Sequence, residues 1–349
     1  MWTLYFIIDD KLNFLFLHGC DVIKTTDVTA IGNPIVDVVT TANEDFLTDH
    51  GIDKGAMTLI NAEQLQSLLL KTHEAKIISG GSAANTIVGF SMLGGRGAYI
   101  GKVKNDAAGD AFKRDLRDLG VSYATTSNYS GPATAQCLVF VTEDAQRSMA
   151  TYLGACVSLQ PSDIDAKMIE TSKVIYLEGY LWDPPKAKEA IKKAIKLAHS
   201  TNCKVALSLS DAFCVNRYRA EFLDLVSNKV DILFANESEI ISLYQLDNIN
   251  GALDAIPDNG LIAAITLGEK GSIIKRSEER WIIPAQKAPK IVDTTGAGDL
   301  YAAGFLYAFI NNYRMDNCGK LGGLAASEII QQYGARTETD LKSLLASIE

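Results

Sequence analysis

Val174-Ile-Tyr-Leu-Glu178, Lys204-Val-Ala-Leu-Ser-Leu209, Asp231-Ile-Leu-Phe-Ala235 and Leu261-Ile-Ala-Ala-Ile-Thr-Leu267 are four short, nearly continuous apolar runs. Such runs lack the polar–apolar alternation of a half-exposed strand and are short for helices, so they read as buried strands. Helical patterns lie between and after them. The lysine-rich segment from Lys186 to His199 is amphipathic, another helix starts at Glu237, and two more cover Ala297 to Asn311 and Gly319 to Gln332. Strands that alternate with helices predict a three-layer αβα body with a mostly parallel central sheet. Ligands in that architecture bind beyond the carboxyl ends of the strands.

Working outward, the first half has a different texture. Ile35-Val-Asp-Val-Val39, Gly55 to Ile60, Ala135 to Val141 and Arg147 to Tyr152 read as strands without intervening helices. They predict a small antiparallel β lid, built from about residues 35–60 and 133–153 and projecting from a body of residues 29–349. An obvious helix runs from Ala83 to Leu93. Residues 1–28 read as an appendage: the apolar runs Trp2 to Ile8 and Leu12 to Leu17 flank Asp9, Asp10 and Lys11, which suggests a β-hairpin. Neither run is long enough to span a bilayer.

The 349-residue chain is 47% hydrophobic and 21% charged, ordinary for a globular enzyme. Its formal net charge of -9 argues against nucleic acid or an anionic membrane as partner, because a basic footprint is missing. Six cysteines without C-x-x-C spacing fit neither a zinc site nor a disulfide framework, and point to the reducing cytoplasm. Four scattered histidines make a histidine-based metal site or a Ser-His relay a poor reading.

The chemistry concentrates in Asp293-Thr-Thr-Gly-Ala-Gly-Asp299, which leads directly into a helix. Small residues at a helix start leave backbone N–H groups unpaired, and the helix dipole adds positive potential, so the turn suits an anion. An anion cradle formed by Gly296, Ala297 and Gly298 beside an ionised Asp299 suits phosphoryl transfer to a hydroxyl. The bland alternative is a helix cap after a glycine turn. Gly80-Gly-Ser-Ala-Ala-Asn85 opens the 83–93 helix, with Asn85 able to donate and accept toward ring hydroxyls. Asp37, an acid in an apolar strand, is costly unless bonded and is a candidate hydroxyl acceptor. Asn236 and Glu239, three apart at a helix start, can converge on one point or simply cap the helix. Thr266-Leu-Gly-Glu-Lys-Gly271 is a glycine-containing turn between two strands.

These motifs, in this order, resemble the ribokinase-like carbohydrate kinase (PfkB) family. D-T-x-G-A-G-D is matched at every position, and no Gly-Lys-Ser/Thr of a Walker loop follows. The resemblance implies the ribokinase-like fold, with Asp299 as catalytic base and Gly296, Ala297 and Gly298 as the anion hole. It implies Asp37, Gly81 and Asn85 as the substrate-binding set. Asn236 and Glu239 become the N-x-x-E pair that positions magnesium. Thr266, Gly268 and Gly271 join Asn236 as the ATP-binding turn. It also points to a monovalent cation such as K⁺ near Asp293, Thr295 and Gly334.

Asp53 to Thr58, Tyr152 to Ala155 and Ser208 to Phe213 are closer to the adenosine-kinase branch than to ribokinases. That implies ATP-dependent phosphorylation of the 5′-hydroxyl of a nucleoside, adenosine first, with Met57, Phe140, Tyr152, Tyr180, Trp182 and Phe213 as candidate walls of a base slot. The alternatives are a kinase for free ribose or fructose and, more distantly, a non-catalytic nucleoside or nucleotide binder. The lid edges suggest a homodimer.

Overall fold

Period-two alternation divides the apolar runs between two hydrophobic cores, one on each face of a large sheet. The structure is a computed structural model and describes residues 23–348 apart from His73 and Ala145. The hairpin expected before Cys20 lies outside the described residues. In chain order the strands are β1 (Thr26–Ile31), β2 (Ile35–Thr41), β3 (Met57–Leu59), β4 (Lys76–Gly80), β5 (Gly97–Ile100), β6 (Ser122–Tyr123), β7 (Ala135–Val141), β8 (Arg147–Tyr152), β9 (Ser172–Glu178), β10 (Lys204–Ser208), β11 (Ile232–Asn236), β12 (Ile262–Thr266), β13 (Ser272–Arg276) and β14 (Glu279–Ile283). The helices are α1 (Glu44–Asp49), α2 (Ala62–Leu69), α3 (Ser82–Met92), α4 (Ala107–Asp118), α5 (Ala166–Glu170), α6 (Pro185–Ser200), α7 (Ala212–Asn228), α8 (Glu237–Tyr244), α9 (Ile249–Ala255), α10 (Ala297–Ile310) and α11 (Met315–Ile329).

The large sheet has the order β14-β13-β12-β11-β10-β9-β1-β5-β6. It is parallel from β12 to β6, and the hairpin partners β13 and β14 are antiparallel. On β9, Val174 and Tyr176 join the core under α3, α10 and α11, while Ile175 and Leu177 join the core under α6, α7 and α8. Each fully buried Leu or Ile contributes roughly 1.5–3 kcal/mol, so these two cores hold the three layers together. The body begins three residues earlier than expected, because Thr26 to Val28 belong to β1 and Val28 is wholly buried.

The small sheet differs from its expected form. Its order is β3-β8-β7-β2-β4, and it is mixed: β2 runs parallel to β7 and β3 to β8, while β7/β8 and β2/β4 are antiparallel. Its first segment extends to Gly80, since Lys76-Ile-Ile-Ser-Gly80 forms β4. Two short helices intervene. Asn43 caps α1, and a reciprocal Asn61–Gln64 capping box starts α2. Leu47, Leu65 and Leu68 from this helical side pack on Val38, Leu138, Phe140 and Ala150.

At the carboxyl end of β9, Glu178 ties the two sheets' connections together. One carboxylate oxygen accepts from Asn33 N (3.3 Å) and Asn33 Nδ2 (2.9 Å), the other from Ala83 N (2.9 Å) at the start of α3. Burial pushes the Glu178 carboxyl up to about 7. Replacing it by alanine leaves three buried donors unpaired, each worth about 1–3 kcal/mol. Glu178→Ala is therefore expected to lower unfolding stability by about 3 kcal/mol or more, read as a lower urea midpoint at unchanged slope.

Candidate active site

Two helices, α10 and α3, aim their amino ends at one point, and Asp299 joins them. α10 starts at Gly296, whose φ of +80° is a left-handed turn conformation, and no side chain caps it. Ala297 N–H donates to Thr294 O (3.2 Å) and Leu300 N–H to Gly296 O (2.9 Å). Among the described residues the Gly298 and Asp299 amides have no such acceptor. Ala297 therefore shapes the expected anion cradle, but its own amide is already committed.

Asp299 sits in the first turn of α10. Its Oδ1 accepts from Ser82 Oγ (2.6 Å) and its Oδ2 from Asn85 Nδ2 (3.1 Å). Two candidates 214 residues apart in sequence thus touch directly. Burial raises the carboxyl above the usual aspartate range, partly offset by these two hydrogen bonds. Desolvation therefore opposes the ionised form that the helix field favours.

Gly81 caps α3 at φ +90°, and a Cβ there would lie 2.3 Å from Asn33 O. Next to it, a Cβ on Gly80 would lie 2.3 Å from Asp37 Oδ2, so the glycine pair lets the Asp37 carboxylate lie against the backbone. Asp37, Gly81 and Asn85 are therefore gathered on one side of Asp299. Burial pushes Asp37 up to about 7, opposed only by the charges of Arg336 and Arg147. Arg336 Nε also donates to Asn85 Oδ1 at 3.4 Å. Buried polar atoms near these groups, Asn33 Oδ1 and Arg336 Nη2, have no partner. Ser82, Asn33, Arg147 and Arg336 are site residues that motif reading missed. Ser82 lay inside the Gly80–Asn85 stretch and Asn33 lies four residues before Asp37, whereas nothing local marks the two arginines.

On the other side, a cavity of about 340 Å³ is lined by Ser82, Asn236, Glu239, Thr266, Gly298 and Asp299. It abuts a larger one of about 830 Å³ that shares Asn236 and Thr266 and reaches Gly268. Gly271 lines neither. A Cβ on it would lie 2.1 Å from Ile283 O, so glycine there is required by the close packing of the strand end.

Asn236 and Glu239 do converge, and they do so as a reciprocal cap of α8. Asn236 Oδ1 accepts from Glu239 N (2.9 Å), while Glu239 accepts from Asn236 N (3.0 Å) and Nδ2 (2.6 Å). Burial raises Glu239 to about 7. No group of three or more His, Cys, Asp or Glu able to cage a metal occurs among the described residues. One carboxylate and one amide facing the cavity fit Mg²⁺ that keeps its waters and rides on phosphates.

Both oxygens of the Asp293 carboxylate are engaged. Oδ1 accepts from Thr295 N (3.0 Å) and Oγ1 (2.7 Å); Oδ2 accepts from Gly334 N (2.8 Å) and pairs with Arg147 Nη1 (2.7 Å). Both side chains of the ion pair are largely buried, at 13% and 7% exposure, so losing either one strands a charge. The guanidinium neutralises the Asp293 carboxylate, beside the region of Asp293, Thr295 and Gly334 expected to hold a monovalent ion.

The two glycines of the cradle make different predictions. A Cβ on Gly296 would lie 2.7 Å from Ala335 Cβ at positive φ, whereas one on Gly298 meets nothing within 4 Å and faces the cavity. Gly296→Ala should lower the melting temperature, at a cost of about 1–2 kcal/mol in backbone strain alone. Gly298→Ala should melt like the parent and lose turnover by about tenfold or more by crowding the anion. Thermal melts alongside steady-state rates separate the two.

Comparison with known proteins agrees with this geometry. The pfkB family of carbohydrate kinases matches residues 52–341. The crystal structure of a probable sugar kinase from Rhizobium etli superposes with a TM-score of 0.88 at 47% identity, covering 94% of this chain and all of that one. The adenosine kinase of Sinorhizobium meliloti superposes with a TM-score of 0.86 at 46% identity, covering 93% of this chain and 99% of that one. A 5-dehydro-2-deoxygluconokinase from Geobacillus kaustophilus is 26% identical over 83% of this chain and 89% of its own length. The large, mostly parallel sheet and smaller second sheet are the ribokinase-like architecture of these neighbours. By sequence match and by fold, this chain is a kinase that belongs to the pfkB family of carbohydrate kinases.

Proposed function

We propose that this kinase transfers the γ-phosphoryl group of ATP to the 5′-hydroxyl of a nucleoside, adenosine first, giving the monophosphate and ADP. The observation that carries the reading is the Asp299 carboxylate. It stands at the uncapped amino end of α10 while held by Ser82 and Asn85 of α3, between an acceptor side and a donor cavity.

The acceptor hydroxyl approaches Asp299, with its ring oxygens on Asp37, Gly81 and Asn85. As the oxygen bonds to the γ-phosphorus, the bond to the β–γ bridging oxygen breaks and the proton passes to Asp299. A carboxylate raised by burial is a better base near neutral pH than an ordinary one. The Gly298 and Asp299 amides meet the charge on the moving phosphoryl group. Asn236, Thr266 and Gly268 hold the rest of ATP, and Arg147's buried, unpaired Nε–H suits its phosphates. Mg²⁺ carried on those phosphates would be held by Glu239 and Asn236 through water, where it supplies charge neutralisation. The small sheet closes over the acceptor and excludes water.

The nucleoside class rests on the face of the small sheet that carries Asp37. Strand register puts Asp37 beside Cys137, Thr151 and Leu59, and Val39 beside Val139, Met149 and Met57. That face is broad and apolar, with Leu59 60% and Met57 47% exposed, which suits a planar base better than a bare sugar. Of the aromatic walls expected earlier, Phe140 points to the opposite, helix-covered face, Tyr152 packs against that same core, and Trp182 is 1% exposed in the main core. Tyr180 lines the donor cavity and Phe213 is exposed. The 46% identity to a solved adenosine kinase is compatible with the same choice.

The open edges of β3 and β4 support a homodimer through the small sheet. Five buried free cysteines support a cytoplasmic site, and no described helix is long and apolar enough to cross a membrane.

The test is ADP release from Mg-ATP with adenosine, guanosine, ribose, fructose and 5-dehydro-2-deoxygluconate as acceptors. Adenosine should be used most efficiently. Turnover of a free sugar with no nucleoside accepted overturns the acceptor class and leaves the kinase standing. Asp299→Asn should bind both substrates normally and lose about 10²-fold or more in turnover, measured in the same assay.

A further inference from the structure

We propose that Arg336 is a positioning residue for the acceptor: it fixes the orientation of the Asn85 amide toward Asp299. The inference rests on the reading of Asp37 and Asn85 as acceptor-binding groups. It adds a residue that no motif marks.

The geometry starts with an amide that can sit two ways round. As found, Asn85 Oδ1 accepts from Arg336 Nε (3.4 Å) and Nδ2 donates to Asp299 Oδ2 (3.1 Å). The flipped amide would turn its NH₂ toward a guanidinium and its oxygen toward a carboxylate, replacing two hydrogen bonds by two repulsions. Arg336 therefore decides which way Asn85 faces, and through Asn85 where one oxygen of Asp299 is held. The arginine is itself anchored. Gln332 Nε2 donates to its carbonyl (2.5 Å), Ala335 packs on Gly296, and Gly334 N binds Asp293 Oδ2 (2.8 Å). Its Nη2 is buried and has no partner, which leaves a donor for an acceptor hydroxyl or a water.

A pH signature follows from the charge around Asp37. The carboxyl lies against Gly80 of β4, and Cys137 of β7 is its register partner. The positive charges that act on it are Arg336 from the carboxy-terminal segment and Arg147 from β8. The Cys137 thiol is pushed up to about 12 by burial and is neutral at working pH. Asp115 of α4, bonded to Ser79 Oγ, shares the charge of Arg336. Burial raises Asp37 and the two arginines lower it. Without Arg336 the carboxyl protonates at higher pH, and binding that needs the ionised form is lost earlier as pH falls.

The experiment compares the full-length parent with Arg336→Met and Arg336→Lys over pH 6 to 9, using whichever acceptor the parent phosphorylates best. A parent that prefers a free sugar refutes the nucleoside reading and leaves this test in place; a parent with no acceptor refutes both. Arg336→Met should raise the acceptor KM about tenfold, hold the ATP KM within about twofold, and move the acid limb of kcat/KM to higher pH by about one unit. Arg336→Lys restores the charge without the fork. Its acid limb should return to the parent position while the acceptor KM stays raised. Equal rises in both KM values, or an acid limb that Arg336→Met does not move, overturn the proposal in favour of a merely structural arginine. If Arg336→Met does not fold, Arg336→Lys decides: a parental acceptor KM in that variant overturns it.

Discussion

One carboxylate shared between two helix starts organises this enzyme. The amino ends of α10 and α3 each carry about half a positive charge, so bringing them together requires a negative group between them. Asp299 is that group, fixed through one oxygen by Ser82 and through the other by Asn85. The same convergence makes the spot attractive to a phosphoryl group, whose oxygens need the amides that α10 leaves uncapped. A base and an anion are both negative and would ordinarily repel. Desolvation eases the conflict in the proposed reaction, because it lifts the proton affinity of Asp299 and would make it readier to take the hydroxyl proton.

Three other buried carboxyls, Asp37, Glu178 and Glu239, are each lifted to about 7 by loss of water, yet they serve different ends. What separates them is how fully their lone pairs are used. Glu178 accepts three hydrogen bonds from Asn33 and Ala83 and is a structural clamp. Glu239 is spent on the Asn236 cap but faces the cavity, so it can support a ligand only through water or by giving up part of that cap. Asp37 receives charge from Arg336 and Arg147 but no hydrogen bond offsets its burial among the described residues. A buried acid left so exposed in energy is stabilised most by a ligand that brings donors, as ring hydroxyls do.

The sequence made the large sheet legible because its buried strands are continuous apolar runs between long amphipathic helices. Its motifs were legible because each is local: a helix start, a cap, a turn. The small sheet was harder. Short α1 and α2 contribute only Leu47, Leu65 and Leu68 to its core, and β4 ends in the glycine pair that dominates the reading of that stretch. The Asn61–Gln64 capping box was a signal available in the residues themselves. The two arginines were not legible at all. Arg147 meets Asp293 and Arg336 meets Asn85 across the fold, the latter over 251 residues, and no local pattern records such a pairing.

Those long-range contacts meet on one short segment. Tyr333 lies under the Arg147 guanidinium at 5.7 Å, Gly334 binds Asp293, Ala335 packs on Gly296, and Arg336 reaches Asn85. Four consecutive residues thus touch β8 of the small sheet, the anion turn, the cap of α10 and the acceptor helix. A displacement of β8 that pulled Arg147 off Asp293 would strip a charge from the turn that carries the cradle, and the Gly334 amide would be left to hold that carboxylate with Thr295 alone. The position of the small sheet and the shape of the anion turn are then not independent. The Arg147–Asp293 pair is buried, so breaking it strands a charge, and strand and turn hold each other in the arrangement found.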